Sequence, residues 1–591
     1  MLYYGCDTET YNETINGKQN LGLKSIQLFG ENDEQYFLDD DYLSDDLNIR
    51  FNICSKFFDY LFKIEDNSVI GFFNLTFDFS QFVYYLVTES GLKIEYEKRR
   101  LKKGYMSFLE TDRKMYAVFI QSPITNKKIT FIDIANFCGP TTLDKLGEDW
   151  VHEKKEKIDS KIFPKRKPTE EEKKYAMKDA ELTYKIMQEY LKLDMLKPRT
   201  YTIAGLTIKN FMEFLKEYYG VSFNQYFYKT EDEDIINQMK EKIESIRYIN
   251  KGGICMAWQK GVFENCTHID AKSMYPTQMV RDFIPVGPLL DEEPNCLHTK
   301  IIFPSGIFIK KKDKIPCVQW TKKADCMRYK YQTLYDAGDY VWDFFLDGSF
   351  GFWKEEYEVI LRHYNVYQLE IEKEYYIELK ENIAVKNYVN MLYKGKRENT
   401  GTIRLYYKYL LNSLYGKFLT RPDGISINYI EDIDGWHREK MVTEKNTYYF
   451  LFGSWIAMYG RVTLLNAIDS IDINDFLYCD TDSIIYKGNK NPNVTIGKEL
   501  GMWGYEHKNV MVNVVGPKTY QELTSDEEYG ELITKCGGLP SKVKDLIEWE
   551  QLKDGMTVKC QKPKRNKITW NIDILDTVYT ISTRASMFRR N

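Results

Sequence analysis

The stretch Phe476–Tyr486, FLYCDTDSIIY, sets two β-rich apolar runs on either side of Asp480 and Asp482. Short apolar runs around a tight polar knot read as a β-hairpin. In a strand, residues i and i+2 share a face, so the spacing predicts two carboxylates side by side at the hairpin tip. Like charges that close repel, and each favours water. A hard divalent cation resolves the conflict, because Mg²⁺ takes carboxylate oxygens and keeps waters or phosphates in its shell. A D-T-D tripeptide is also an ordinary turn, so the reading needs partners elsewhere in the chain.

One partner is Asp270, which ends the apolar run VFENCTHI and opens DAKSMYP. A third carboxylate is what a two-ion site requires. Tyr275, just beyond, is spaced to pack under a nucleotide sugar and exclude a 2′-hydroxyl; the plainer alternative is a strand end closed by the turn at Pro276. A second partner is TIRLYYKYLLNSLYGKF, read as a helix stopped at Gly416. Arg404, Lys408 and Asn412 fall at i, i+4 and i+8, with Tyr415 three further on, which makes one stripe. Two cations, an amide and an aromatic suit a triphosphate and a base, though a solvated amphipathic face has the same pattern.

The N-terminal region carries a separate acidic set. Asp7 and Glu9 are i, i+2 in the strand-like LYYGCDTET, GFFNLTFDFSQF supplies Asn74 and Asp78, and YAMKDAELTY puts Tyr175 one helical turn from Asp179. KITFIDIANF also reads as a strand. The long helix carrying Tyr175 and Asp179 should open at Thr169 as N-cap, and Lys197-Pro198 should close the unit. Four carboxylates and a hydroxyl able to orient water form a second candidate two-metal site. Acidic pairs near strand ends are often only solvated turns.

The bulk numbers narrow the class. An apolar fraction of 43% supports real cores, and 15% aromatics suit stacking on bases as well as ordinary packing. A net charge of −5 argues against a protein that coats duplex, so local clusters matter: EKRRLKKG from Glu97 and KCQKPKRNK from Lys559. The 11 cysteines include no C-x-x-C pair and the six histidines are scattered, which argues against a zinc module and for reduced, cytosolic thiols. No apolar run reaches the ~18 residues of a membrane span, and no signal peptide is visible. A β-rich patch is expected around 310–345 and a polar hairpin over Arg421 to Tyr449.

Taken in order, these motifs resemble the family B DNA polymerases, and most of all their protein-primed branch in small tailed phages. DTE at Asp7–Glu9, NLTFD at Asn74–Asp78 and YAMKD at Tyr175–Asp179 are similar to the three motifs of the family's 3′→5′ exonuclease. DAKSMYP at Asp270–Pro276, KYLLNSLYG at Lys408–Gly416 and YCDTDS at Tyr478–Ser483 are similar to polymerase motifs A, B and C, and KTY at Lys518–Tyr520 to the K-x-Y motif that holds a primer end. The resemblance implies an α+β multidomain chain: an RNase H-like exonuclease domain followed by a right-hand polymerase of palm, fingers and thumb with two insertions. The implied divisions are 1–195 exonuclease, 196–281 first palm part, 282–380 insertion 1 (contact with a terminal protein, with KIPCVQW from Lys314 to Trp320 inside it), 381–418 fingers, 419–452 insertion 2 (processivity and strand displacement), 453–535 second palm part and 536–591 thumb.

It also implies roles. Asp270 and Asp482, with Asp480 beside them, would ligate catalytic Mg²⁺ or Mn²⁺; Asp7, Glu9, Asp78 and Asp179 would do so in the exonuclease, with Tyr175 positioning water and Lys155 assisting. Tyr275 would gate the sugar, Lys396, Arg404 and Lys408 would hold the incoming dNTP, and Tyr415 would pack on the nascent pair. Thr10, Asn74 and Phe77 would grip a frayed strand, and Lys518 and Tyr520 the primer end. The basic run at Lys559 would be a thumb surface on DNA. The implied partners are template-primer DNA, dNTPs and a terminal priming protein, for a monomer without membrane contact in the cytoplasm of an infected bacterium. A family B polymerase using ordinary primers is the alternative; a nuclease that only grips DNA, or a structural DNA-binding protein, fits the retained motifs less well. Three departures stand out: NKGG at Asn250–Gly253 replaces the linker motif Y-x-G-G, Ala457 stands where the motif before C opens with Thr, and Met274 replaces Leu. The first is expected to alter the balance of synthesis and proofreading.

Overall fold

The computed structural model describes residues 1–15, 18–95, 101–111, 114–156, 163–319, 340, 342–432, 435–524, 530–565 and 572–581. Trp320, most of the 310–345 patch beyond it, residues 97–100 of the first basic run and 566–567 of the second lie outside them.

The N-terminal strands are β1 (Leu2–Ile15), β2 (Lys18–Phe29), β3 (Glu34–Leu38), β4 (Ser68–Phe72), β5 (Lys93–Ile94), β6 (Tyr105–Glu110), β7 (Met115–Gln121) and β8 (Lys128–Asp133). They pair in the order β2-β1-β4-β8-β7-β6-β5, with β3 on β2. β1, β4 and β8 run parallel to one another. One face buries an aromatic cluster that includes Phe57, Phe72, Phe82 and Phe131. The other receives the helix Glu170–Lys192, which opens at Thr169 as N-cap, as its sequence predicts, and adds a capping box with Glu172. Gly5 admits that helix: a Cβ there would stand 2.1 Å from the Ala180 carbonyl oxygen. Asp7 and Glu9 follow Gly5 at alternate positions, so they meet the helix face that carries Asp179.

A second, antiparallel sheet is built from β9 (Cys255–Ala257), β10 (Gly261–Ala271), β18 (Phe476–Asp480), β19 (Ser483–Lys487), β20 (Trp503–Gly516), β21 (Thr519–Leu523) and β22 (Leu532–Cys536), in the order β22-β21-β20-β10-β19-β18-β9. Ile269, Ala271, Ile484 and Tyr486 pack with Leu464, Leu465 and Ile468 of the helix Phe450–Ile468, which is mostly apolar and largely buried. Asp270 alternates to the opposite face. Between these strands the chain forms a third sheet from β11 (Phe283–Leu290), β12 (His298–Lys310), β13 (Asp343–Asp347), β14 (Phe352–Trp353) and β15 (Tyr364–Glu381). The helices Ala384–Glu398 and Gly401–Phe418 follow, then the hairpin β16 (Asp423–Asp432) and β17 (Gly435–Glu444) in the stretch read as polar and hairpin-like.

Two returns tie the ends together. The hairpin β16–β17 docks on β6: the Tyr429 hydroxyl donates to Glu110 Oε2 at 2.5 Å, Arg438 pairs with the same carboxylate, and the Tyr429 and Phe108 rings lie 4.7 Å apart. The final hairpin, β23 (Thr557–Arg565) and β24 (Ile572–Thr580), pairs with β2 and so completes the N-terminal sheet.

Two local expectations are corrected. Gly416 does not stop its helix, which runs on to Phe418 and caps at Leu419. Gly416 keeps helical geometry, and the stop comes where Arg421 precedes Pro422 and is pushed out of the helical region. The division placed between 452 and 453 falls inside the helix Phe450–Ile468. Among the described residues no helix is long and apolar enough to cross a membrane.

Candidate active sites: two carboxylate clusters

Asp270 is the penultimate residue of β10, paired with Ser483 on one side and Gly504 on the other. Asp480 ends β18, but Asp482 is not on a strand. Thr481 and Asp482 form the two-residue loop between β18 and β19, with Thr481 left-handed at φ 60°. The alternation argument for these two carboxylates therefore fails, and the turn separates their duties. Asp480 pairs with Lys518 Nζ at 2.7 Å. Asp482 turns to Asp270: its carbonyl accepts the Ala271 N–H at 2.7 Å, and its own N–H donates to the Asp480 carbonyl at 2.6 Å. Burial pushes the Asp482 carboxyl up to about 7, with Asp270 and Asp480 adding to it. Asp270 is raised by burial and then by Glu506.

The cations expected around a triphosphate gather beside this pair. Arg404 and Lys408 are exposed on one helix, and Lys396 of the helix before it donates to Ser273 Oγ at 2.8 Å. Burial pushes Lys396 down to about 8, and the charges of Arg404, Lys408 and Lys272 push the same way. Tyr275 stacks on Tyr415, with centroids 4.1 Å apart and planes at 16°. Gly460 lies beneath, where a Cβ would be 3.3 Å from the Tyr275 ring. Lys518 and Tyr520 flank Asp480, and the Tyr520 ring packs 4.9 Å from Tyr478.

In the N-terminal sheet, ligand atoms of Asp7, Glu9 and Asp179 all lie within 4.8 Å of one another. Asp78 sits alongside in the short helix Leu75–Asp78 and accepts the Thr8 hydroxyl at 2.6 Å. Burial, reinforced by Asp78, Asp179 and Glu9, holds Asp7 well above the usual carboxylate range. Burial raises Glu9 to about 8 and Asp78 to about 7. Lys155 pairs with Asp179 and lies 5.6 Å over the Tyr175 ring. Asp179 Oδ1 is buried and has no hydrogen-bond partner among the described residues. Acidic groups held this close and partly shielded from water fit a divalent cation, which favours their ionised form. Asn74, left-handed at φ 74°, lies just before the short helix and Phe77 within it, and Thr10 follows a bulge after Glu9.

Three side chains in these clusters were not anticipated. Lys272 and Glu506 face each other at 3.6 Å beside Asp270. Asp133, buried at the end of β8, accepts the backbone N–H of Asn74 and fixes its conformation. Lys272 could have been noticed from its place two residues after Asp270; the other two carry no local signal.

The fold and the two carboxylate sets define a nucleic-acid polymerase class, and the chain belongs to the family described as DNA polymerase type B, organellar and viral, which matches residues 145–497. The DNA polymerase of Bacillus phage phi29 is 27% identical over 375 residues, a match covering 57% of this chain and 62% of the relative. That of Enterobacteria phage PRD1 is 29% identical over 140 residues, 21% of this chain and 25% of the relative. The chain thus spans under two thirds of the length of these curated relatives. Among solved structures, phi29 DNA polymerase complexed with primer-template DNA and incoming nucleotide substrates aligns with TM-score 0.78 at 20% identity, over 98% of this chain and 99% of that one. The phi29 enzyme complexed with single-stranded DNA gives 0.76 at 19% identity, over 98% and 100%. The fold is therefore that of an exonuclease joined to palm, fingers and thumb.

Proposed function

We propose that the chain is a DNA-directed DNA polymerase that proofreads with a 3′→5′ exonuclease, primed by a terminal protein in the cytoplasm of an infected bacterium. The observation that supports this most is the meeting of Asp270 and Asp482, far apart in sequence, beside the cations Lys396, Arg404 and Lys408. The phi29 polymerase solved with primer-template and incoming nucleotides supports the same substrates here.

In this reading Asp270 and Asp482 would hold Mg²⁺ or Mn²⁺ in one centre and Asp7, Glu9, Asp78 and Asp179 would do so in the other, where the ion would supply charge neutralisation for phosphoryl transfer. Lys396, Arg404 and Lys408 bind the triphosphate, Tyr275 lies under its sugar and Tyr415 under the base pair. Lys518 and Tyr520 seat the primer end, whose 3′-hydroxyl attacks the α-phosphate as pyrophosphate leaves. The oxygens that gain charge are met by fixed cations, which lowers the barrier. In the trimming centre Thr10, Asn74 and Phe77 hold the frayed strand and Tyr175 orients the attacking water. The segment 282–380 would meet the priming protein, the hairpin β16–β17 would keep the enzyme on its template, and the segment from 536 would act as thumb.

Primer extension beside Asp482→Ala and Asp78→Ala tests the reading. Asp482→Ala should lose synthesis and still degrade primer, and Asp78→Ala should do the reverse. Normal extension by Asp482→Ala sinks the assignment. A nucleotide covalently attached to an added terminal protein is the expected sign of protein priming; its absence under conditions that extend ordinary primers would remove that part.

A further inference from the structure

The linker Asn250–Gly253 contributes to a set of buried charges that touches neither carboxylate cluster. The side chains of Lys251, Glu356 and Arg461 are 1%, 5% and 1% exposed. Arg461 Nε and Nη2 donate to the two Glu356 oxygens at 2.9 and 3.0 Å, and Nη1 donates to the Lys251 backbone carbonyl at 2.6 Å. Lys251 Nζ stands 3.6 Å from Glu356 Oε1 and over the rings of Phe352 and Phe350, at 4.1 and 4.8 Å. Two cations share one carboxylate in a dry interior, and burial pushes Lys251 down to about 8. Such a set is a poor source of stability compared with well-packed apolar side chains; its distinctive effect is to specify geometry.

The geometry it specifies is that of the linker. The three residues come from the linker, the helix Lys354–His363 and the helix Phe450–Ile468. Arg461 anchors the linker backbone at Lys251, and Gln319 Nε2 donates to the Gly253 carbonyl at 3.1 Å. Gly253 then presses on Thr481, where a Cβ would come 2.5 Å from Oγ1, and the Ile254 carbonyl accepts the Thr481 N–H at 2.6 Å. Thr481 is the residue between Asp480 and Asp482, so the linker forms one wall of the turn that carries them.

We propose that Lys251, Glu356 and Arg461 are positioning residues: a buried lock that sets the Asp480–Asp482 turn through the linker and leaves the Asp7–Glu9–Asp179 cluster untouched. The proposal rests on the polymerase reading of Asp270 and Asp482. It explains how a carbonyl far from the chemistry governs it, since displacing a reacting group by about 1 Å costs on the order of 10²-fold in rate.

Glu356→Gln and Lys251→Met in the full chain test it. The first leaves two cations facing a neutral amide; the second removes the surplus cation, keeps the Arg461–Glu356 pair and should fold normally. Single-nucleotide addition at saturating dNTP, the dNTP KM, exonuclease rate on single-stranded DNA, and hydrogen exchange over 476–487 and over β1 are measured together. Glu356→Gln should slow addition about tenfold or more, with KM and exonuclease rate within about twofold. Lys251→Met should show the same pattern at about threefold. In both, exchange should rise at the linker and the turn and stay unchanged in β1. Normal addition by either folded variant overturns the lock, as does slower addition with unchanged exchange at the turn, or parallel loss of both activities with exchange rising everywhere. If Glu356→Gln does not fold, Lys251→Met decides alone. A wild-type chain that adds no nucleotide would instead sink the polymerase reading, and the exchange pattern would still judge the lock.

Discussion

Gly253→Ala measures how tightly the linker governs the turn. Its Cβ would stand 2.5, 2.8 and 3.0 Å from Oγ1, Cγ2 and Cβ of Thr481. Ordinary contact lies near 3.5 Å, so the intrusion is roughly 1 Å deep. The linker cannot easily retreat, because its carbonyls at Lys251 and Gly253 are held by Arg461 and Gln319. The turn yields instead, and Asp482 moves with Thr481. Overpacking of this kind costs about 1–3 kcal/mol, and a misplacement of about 1 Å costs on the order of 10²-fold in rate, or ~2.7 kcal/mol of barrier. Single-turnover nucleotide addition should fall by that order while exonuclease rate on single-stranded DNA holds. Adding Thr481→Gly removes all three contacted atoms, and glycine is at home at φ 60°. The double variant loses only the Thr481 Oγ1 hydrogen bond to Asp480 at 3.1 Å, worth about 1 kcal/mol, so it should recover to within about tenfold of wild type. Wild-type addition by Gly253→Ala, or a double variant as slow as the single, would refute the reasoning.

Three further outcomes are expected. Gly5→Ala should produce the reciprocal defect, because its Cβ would meet backbone atoms of Ala180 and Tyr184 at 2.1 and 2.4 Å and force the helix carrying Asp179 off β1; exonuclease rate should collapse while primer extension survives, checked on the same preparation. Lys396 is held down to about 8, chiefly by burial, so it loses its proton as pH rises through that value and the triphosphate loses a cation. The dNTP KM of the wild type should climb above about pH 8, whereas Lys396→Arg, always charged, should give a flatter profile; a flat wild-type profile contradicts this. Glu110→Gln weakens the pairing that docks β16–β17 on β6, which should shorten products on primed circular template yet leave single-nucleotide addition unchanged.

What could be read from the chain and what could not divide by range. The N-cap at Thr169, the strand bearing Asp7 and Glu9 and the hairpin after Arg421 are written in neighbouring residues, and the folded chain keeps them. The approach of Asp270 to Asp482 is only partly written in the chain: an apolar run leads into Asp270, whereas Asp482 sits in a turn rather than on a strand. The shape of the D-T-D turn was not: Thr481 adopts a left-handed conformation that Ile254, more than two hundred residues earlier, supports with its carbonyl. Glu506 and Lys272 are ordinary charged residues until β20 and β10 pair. The return of β24 to β2 joins opposite ends of the sequence, and contacts of that separation leave no periodic trace.

The two centres rest on one structural device used twice. A crowded, half-buried carboxylate set is electrostatically strained, as the raised Asp7, Glu9, Asp78 and Asp482 record. It persists only if rigid backbone holds it there. In one sheet the helix with Asp179 is drawn onto β1 at Gly5; in the other the linker is drawn onto the turn at Gly253. Each glycine replaces a side chain's width with direct contact, so sub-ångström placement of the acids depends on backbone packing rather than on their own rotamers. Because the contacts lie in separate sheets, either centre can be disturbed without the other.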